Sequence, residues 1–154
     1  MDDLQTSPAS AIHLRDAFAN VGALVAGRRL FDVAQGWVAA TGWVPVFVVT
    51  HSIPDGWPRD DAPFTFVTEG VEKAIAQVGA VAGNKIGAVV SANMAQQCLS
   101  AGPLDEIVVD LVPVLLGEDV SFFDNLGGGP IELEGRQVIE GTGVTHLSYR
   151  VKPR

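Results

Sequence analysis

Apolar positions change period several times along the chain, and each change marks an element. After a polar start, Ser7 followed by Pro8 signals a helix N-terminus. The serine hydroxyl can cap orphan amides, and proline at the first helical position lacks only a donor that would go unused. Leu14, Phe18 and Val21 recur at i, i+4 and i+7, which predicts one apolar helix face closing near Gly22. Ala23 to Ala26 reads as a short buried strand meeting Gly27, Arg28 and Arg29, where a second helical stretch through Val33 begins. Val46 to Thr50 predicts another strand, followed by a Pro/Gly/Asp-rich loop to Pro63. Phe64 to Val67 predicts a third, with Thr68 as the expected cap of the next helix. In that helix Val71, Ala74, Ile75 and Val78 form one stripe, and Glu69 and Glu72 sit near its positive end. Ile86 to Val90 is the next expected strand, and Ser91 is expected to cap a helix that ends at Gly102 and Pro103.

Strands that are apolar throughout and alternate with helices imply a mostly parallel sheet covered on both faces. After Leu104 the pattern changes to a long apolar run, Ile107 to Leu116, and a loop at Gly127, Gly128 and Gly129. In the last strand Leu147, Tyr149 and Val151 alternate with His146, Ser148 and Arg150. The C-terminal third is thus predicted to be strand and turn, an antiparallel hairpin at the edge of the parallel sheet. The fold class expected is α/β, with a mostly parallel central sheet flanked by helices. With 154 residues and no repeat or linker, the chain reads as one domain over 1–154.

Composition narrows the function. The formal net charge of −8 repels nucleic acid and anionic lipid alike, so neither is an expected partner. No apolar run approaches the roughly 20 residues of a membrane helix, and Met1 to Thr6 lacks the regions of a signal peptide. A single cysteine, Cys98, forms no internal disulfide, so the expected location is cytoplasmic. Apolar residues make up 47% of the chain, which calls for a large core or a buried subunit interface.

In open α/β sheets, ligands sit beyond the carboxyl ends of the strands, so the residues just after each strand carry the information. Three junctions stand out. Gly27, Arg28 and Arg29 combine close backbone approach with two guanidinium groups, which suits a phosphate, although Arg28 could equally pair with Asp32. Thr50, His51 and Ser52 offer hydroxyls and an imidazole to a ribose phosphate or an adenine. Val90, Ser91, Ala92 and Asn93 run from a strand into a helix N-terminus, whose small residues suit the close approach of a pyrophosphate and equally suit a plain capped helix.

Six segments then occur in order: Gly27-Arg28-Arg29-Leu30-Phe31-Asp32, Val48-Val49-Thr50-His51, Phe66-Val67-Thr68-Glu69-Gly70, Ala92-Asn93-Met94-Ala95-Gln96-Gln97, Asp105-Glu106-Ile107 and Pro113-Val114-Leu115-Leu116-Gly117. From about Ala23 onward this set resembles the bacterial dihydrofolate reductase-like family built on the C-terminal domain of the riboflavin-biosynthesis reductase. The resemblance implies a reductase fold that binds NADPH. It puts Gly27, Arg28 and Arg29 around the phosphates, Thr50, His51 and Ser52 near the adenosine end, and Val90 to Asn93 near the pyrophosphate and nicotinamide. It also implies a homodimer and a small heterocyclic substrate: a pterin, a ribosylamino-pyrimidine or a flavin-like compound.

Two departures from the family pattern are visible. Val90 and Ser91 stand where the family usually carries two glycines, and a β-carbon there is expected to crowd an approaching phosphate. The family also opens with a strand and a Ser-Leu-Asp-Gly-like turn that helps form the substrate pocket, whereas only Met1 to Thr6 precedes the first helix here. The chain is therefore expected to lack that first, interior strand. Its neighbours must then close the gap, borrow a strand from another subunit, or leave backbone groups unpaired. Hydride transfer depends on substrate positioning, so the alternative function is a non-catalytic nucleotide-binding or structural dimeric module that retains the reductase fold.

Other chemistry finds little support. His13, His51 and His146 are scattered in sequence and no paired-cysteine spacing occurs, so no metal site is expected. Cys98, between Gln97 and Leu99, reads as a packing residue. Gly141 and Gly143 precede a strand and read as a turn. Asp105 and Glu106 look like a solvated strand start, and Glu118, Asp119 and Asp124 like an acidic turn. Trp37, Trp43 and Trp57 cluster around the loops flanking the second strand, with buried packing the expected use and a cleft or dimer contact the alternative. No catalytic acid or base can be named.

Overall fold

The computed structural model describes residues 7–34, 44–115, 117 and 121–153. Helix α1, Pro8–Ala19, begins as the sequence predicts: the Ser7 side chain accepts the Ser10 N–H, with Pro8 at the first helical position. The predicted apolar face fails. Val21 already belongs to strand β1 (Val21–Gly27), Phe18 is 66% exposed, and the buried residue of the helix is Ser10. Helix α2 (Arg28–Val33) follows β1 directly, then β2 (Val46–Val49) and β3 (Phe64–Val67).

Helix α3, Val71–Ala82, starts from Gly70 rather than Thr68. Gly70 has φ 102°, a turn that glycine makes without steric cost, and Glu69 instead accepts the Thr68 N–H. Strand β4 (Ile86–Val90) leads into α4 (Ala92–Ala101), which closes on left-handed Gly102 as expected. Three strands complete the described chain: β5 (Glu106–Leu111), β6 (Leu133–Gly141) and β7 (Val144–Val151). Gly141 and Gly143 flank the β6–β7 turn, and the exposed Asp105 and Glu106 open β5.

β1 to β4 form a parallel sheet in the order β3-β2-β1-β4. Both of its faces are covered, which explains the unbroken apolar runs. Val25 and Phe47 turn to one face with Val67, against Ala74, Val78 and Ala82 of α3. Val46, Val48 and Phe64 turn to the other and pack with Phe31 of α2. Trp57 meets Phe31 edge-on at 5.1 Å and Phe64 at 5.5 Å between ring centres, so its use is packing. Trp37, Trp43, Glu118 and Asp119 lie outside the described residues, and Asp124 is exposed.

The C-terminal strands form a second sheet, order β5-β7-β6, all antiparallel. The expected hairpin is there, but it does not extend the parallel sheet. Instead a cleft of about 490 Å³ opens between β4 and β5, lined by Gly87, Val89, Glu106 and Val108 and roofed by His13, Asp16 and Ala17 of α1. Among the described residues β4 has β1 and β5 has β7 as its neighbouring strand, so one edge of each faces the cleft. The Ile86 N–H donates to the Asn20 carbonyl on the β1 side. Main-chain direction alternates along a strand, so Gly87 and Val89 turn theirs away from β1. On β5, the Val151 N–H donates to Asp105, which by the same alternation turns Glu106 and Val108 outward.

Candidate functional site at the strand exits

β1 lies between β2 and β4, with Gly27 paired to Val49 and Ala26 to Val90. This register brings the three junctions side by side at the carboxyl end of the parallel sheet. Sequence spacing alone could not have aligned them.

Arg28 ties the first junction to the second. Its Nε donates to both carboxylate oxygens of Asp32, at 2.8 and 2.9 Å, one helical turn along α2. Its Nη1 donates to the Ser52 carbonyl at 2.9 Å and to Thr50 Oγ1 at 3.4 Å. The pairing with Asp32 that the sequence left open is therefore formed. Thr50 is also committed: buried, it donates from Oγ1 to the Ser52 carbonyl at 2.7 Å and accepts the Ser52 N–H at 3.3 Å. Arg29, His51 and the Ser52 hydroxyl are exposed and make no hydrogen bond or ion pair among the described residues. The junction thus separates two kinds of group. Arg28 and Thr50 brace the β1 and β2 exits, and Arg29, His51 and Ser52 face solvent with unspent donors.

Ser91 marks the third junction. It occupies the N-cap position of α4 but its side chain caps nothing, which departs from the expectation. Its φ is 96°, a region an L-residue rarely adopts and glycine adopts freely. A serine thus holds a conformation that glycine favours. Ser91 Oγ is buried and has no hydrogen-bond partner among the described residues. It lies beside Gly27, where an added Cβ would stand 3.7 Å from it and 3.6 Å from Met94 Cγ. Val90 packs its side chain onto the aromatic cluster under α2. Ala92 is half-buried, and Asn93 is exposed, its Oδ1 accepting the Gln97 side-chain N–H at 2.7 Å.

An unpartnered buried hydroxyl beside a side-chain-free backbone is what a ligand oxygen or phosphate would complete, since an orphaned polar group costs about 1–3 kcal/mol. The junction residues therefore fit a dinucleotide.

Away from these exits, Cys98 is fully buried in α4, and burial pushes its thiol up to about 11. That agrees with a packing role. Sequence reasoning missed a second cluster. His13, Asp110 and His146, called scattered above, converge where α1 crosses the antiparallel sheet. The alternation in β7 held a hint: of its polar members His146 and Ser148 are buried and Arg150 is exposed, whereas Leu147 and Tyr149 are half-exposed. His146 Nδ1 lies 2.7 Å from Asp110 Oδ1 and Nε2 lies 2.8 Å from Ser10 Oγ.

The sequence matches no protein-family model and no curated protein. Solved structures do resemble the chain. A protein assigned to riboflavin biosynthesis in Shewanella sp. PV-4 superposes with a TM-score of 0.68 at 24% identity, over 90% of this chain and 78% of that one. A pyrimidine reductase-like protein of Corynebacterium diphtheriae gives 0.62 at 11% identity, over 94% and 82%. The riboflavin biosynthesis reductase of Saccharomyces cerevisiae gives 0.57 at 14%, over 94% and 80%. The chain therefore has the dihydrofolate reductase-like fold of these reductase-type proteins, a parallel sheet flanked by helices and joined to an antiparallel one.

Proposed function

We propose that this chain binds NADPH across the exits of β1, β2 and β4 and reduces a small heterocyclic substrate: a pterin, a ribosylamino-pyrimidine or a flavin-like compound. The observation that carries the reading is Ser91, whose buried hydroxyl lacks a partner next to Gly27. Three reductase-type proteins with the same fold support it. NADPH, when bound, supplies the hydride. The chain's own residues bind and orient: Ser91 donates to a phosphate oxygen, Arg29 adds positive charge, and Arg28 braces the turn after β2 through Ser52 and Thr50.

The same reading takes residues 1–154 as one domain, working in the cytoplasm as a homodimer. Exposed Leu111, Val112, Val114 and Leu115 form an apolar strip that supports a covered face. The net charge of −8 speaks against a nucleic-acid partner. Among the described residues no helix is long and apolar enough to cross a membrane.

NADPH titration followed by its fluorescence, together with its oxidation in the presence of pterins and flavins, tests the proposal. Replacing both Arg28 and Arg29 with Ala is expected to weaken binding by about 1–3 kcal/mol, the usual worth of charged hydrogen bonds. Unchanged affinity would remove both the charge assigned to Arg29 and the bracing role of Arg28 from the cofactor site. A second reading, a nucleotide-binding module without turnover, draws on the open cleft between β4 and β5, where among the described residues two strand edges stand without a further strand. Binding without oxidation across the whole panel would select it.

A further inference from the structure

His13 on α1, Asp110 on β5 and His146 on β7 each present a ligand atom, and these atoms lie within 4.8 Å of one another. His146 is 3% exposed, and both its nitrogens are held. A carboxylate only accepts, so the Asp110 contact places the imidazole proton on Nδ1 and leaves Nε2 to accept from the Ser10 hydroxyl. Ser10 is itself fixed by Ser7, which accepts its N–H at 3.1 Å and donates to its Oγ at 3.0 Å. The serine–histidine–aspartate order resembles a hydrolase relay, yet Ser10 is 2% exposed and packed beneath Gly141, out of reach of a substrate carbonyl. The accessible chemistry lies on the other side of His146. There the His13 ring stands 4.6 Å away, tilted by 41°, and Asp110 is half-exposed.

We propose that His13, Asp110 and His146 bind a divalent transition-metal ion of zinc-like chemistry, joining α1 to the antiparallel sheet at the mouth of the cleft. Two imidazoles and one carboxylate form a ligand set that suits Zn²⁺, and three protein ligands leave a fourth position for water from the cleft that His13 lines. Bonds of about 2.0–2.2 Å put tetrahedral ligands roughly 3.3 Å apart. Small turns of His13 and Asp110, neither of them fully buried, adjust the present spacing, opening the 2.7 Å contact between Asp110 and His146 Nδ1 while His146 stays in place. Metal binding at Nδ1 keeps the proton count: the proton leaves Nδ1, and Nε2 carries one that it donates to Ser10 Oγ. Ser10 turns its own hydroxyl hydrogen toward Ser7 Oγ, and the half-buried Ser7 hydroxyl turns its hydrogen from Ser10 toward solvent. Ser10 then fixes the tautomer of a metal-bound histidine, as outer hydrogen-bond partners commonly do.

Calorimetric titration of the full chain with Zn²⁺ tests this, with Co²⁺ as a spectroscopic probe. One ion per chain is expected, and Co²⁺ should give the visible bands of a low-coordinate site. His13→Ala, at a partly exposed helix position that alanine suits, is expected to keep the fold by circular dichroism. It should weaken Zn²⁺ by at least about tenfold and remove the bands. His51→Ala, the control for the remaining histidine, should bind as the parent does. No uptake by the parent, undiminished binding by His13→Ala, or a loss that follows His51 would each overturn the proposal. None of these outcomes touches the NADPH reading, which rests on different residues.

Discussion

At the scale of single residues, Ser91 and Cys98 illustrate opposite uses of a small polar side chain. Ser91 carries two local penalties, a φ of 96° and a buried hydroxyl without a partner. Ser91→Gly removes both and adds only the greater unfolded-chain freedom of glycine, so it should stabilise the protein by about 1 kcal/mol. The denaturant midpoint would report the gain. The same variant should bind NADPH less tightly, because the hydroxyl assigned to the phosphate is gone, and tighter binding would remove Ser91 from the site. Cys98 is a spectator. Its thiol, raised from 9.0 to about 11, stays neutral at pH 8 while folded. Native protein should therefore react slowly with iodoacetamide at pH 8, at a rate that denaturant increases. A folded-state pKa above the unfolded one means that the stability contributed by the neutral thiol is complete below pH 9 and declines as pH rises toward 11.

At the scale of elements, α3 shows how one glycine is fixed and another is spare. A Cβ at Gly22 would come within 2.9 Å of both Ala82 Cα and Lys85 Cβ, where α3 ends against β1. Backbone must shift to admit it, so Gly22→Ala should cost about 1–3 kcal/mol. Gly79 lies within α3 with open space around it, and Gly79→Ala should stabilise by up to about 1 kcal/mol through helix propensity. Thermal melts of the pair should move in opposite directions. The contrast also explains what could be read from the sequence. β1 to β4 were legible because burial on both faces leaves runs such as Val46 to Val49 without a polar break. α1 was misread because a period of 3.6 shows only that residues share a face, not that the face is covered, and Phe18 stands in solvent. The three strand exits could be listed one by one, but the register that aligns them is a long-range property. The His13, Asp110 and His146 cluster is harder still, since β5, β7 and α1 meet only in three dimensions.

At the scale of the molecule, the break between the two sheets is the feature with the widest consequence. Among the described residues β4 pairs only with β1, and β5 only with β7, so each presents one row of main-chain groups to the cleft. Exposed strand edges are templates for another strand, and Ile86 and Val108, each about half exposed, add apolar area there. If the edge is free in solution, amide hydrogen exchange along β4 should alternate. Ala88 and Val90, directed at β1 like Ile86, should exchange slowly, and Gly87 and Val89, directed away from it, on the order of a hundredfold faster. The same alternation should run along β5, with Ile107 and Val109 protected by β7 and Glu106 and Val108 open. Uniform protection of all these amides would mean that a strand from outside the described residues occupies the cleft. That result would supply the missing wall and favour turnover over simple nucleotide binding. An alternating pattern that persists at high protein concentration would instead mean that a second copy does not fill the gap, and dimerisation would have to use the apolar strip after β5.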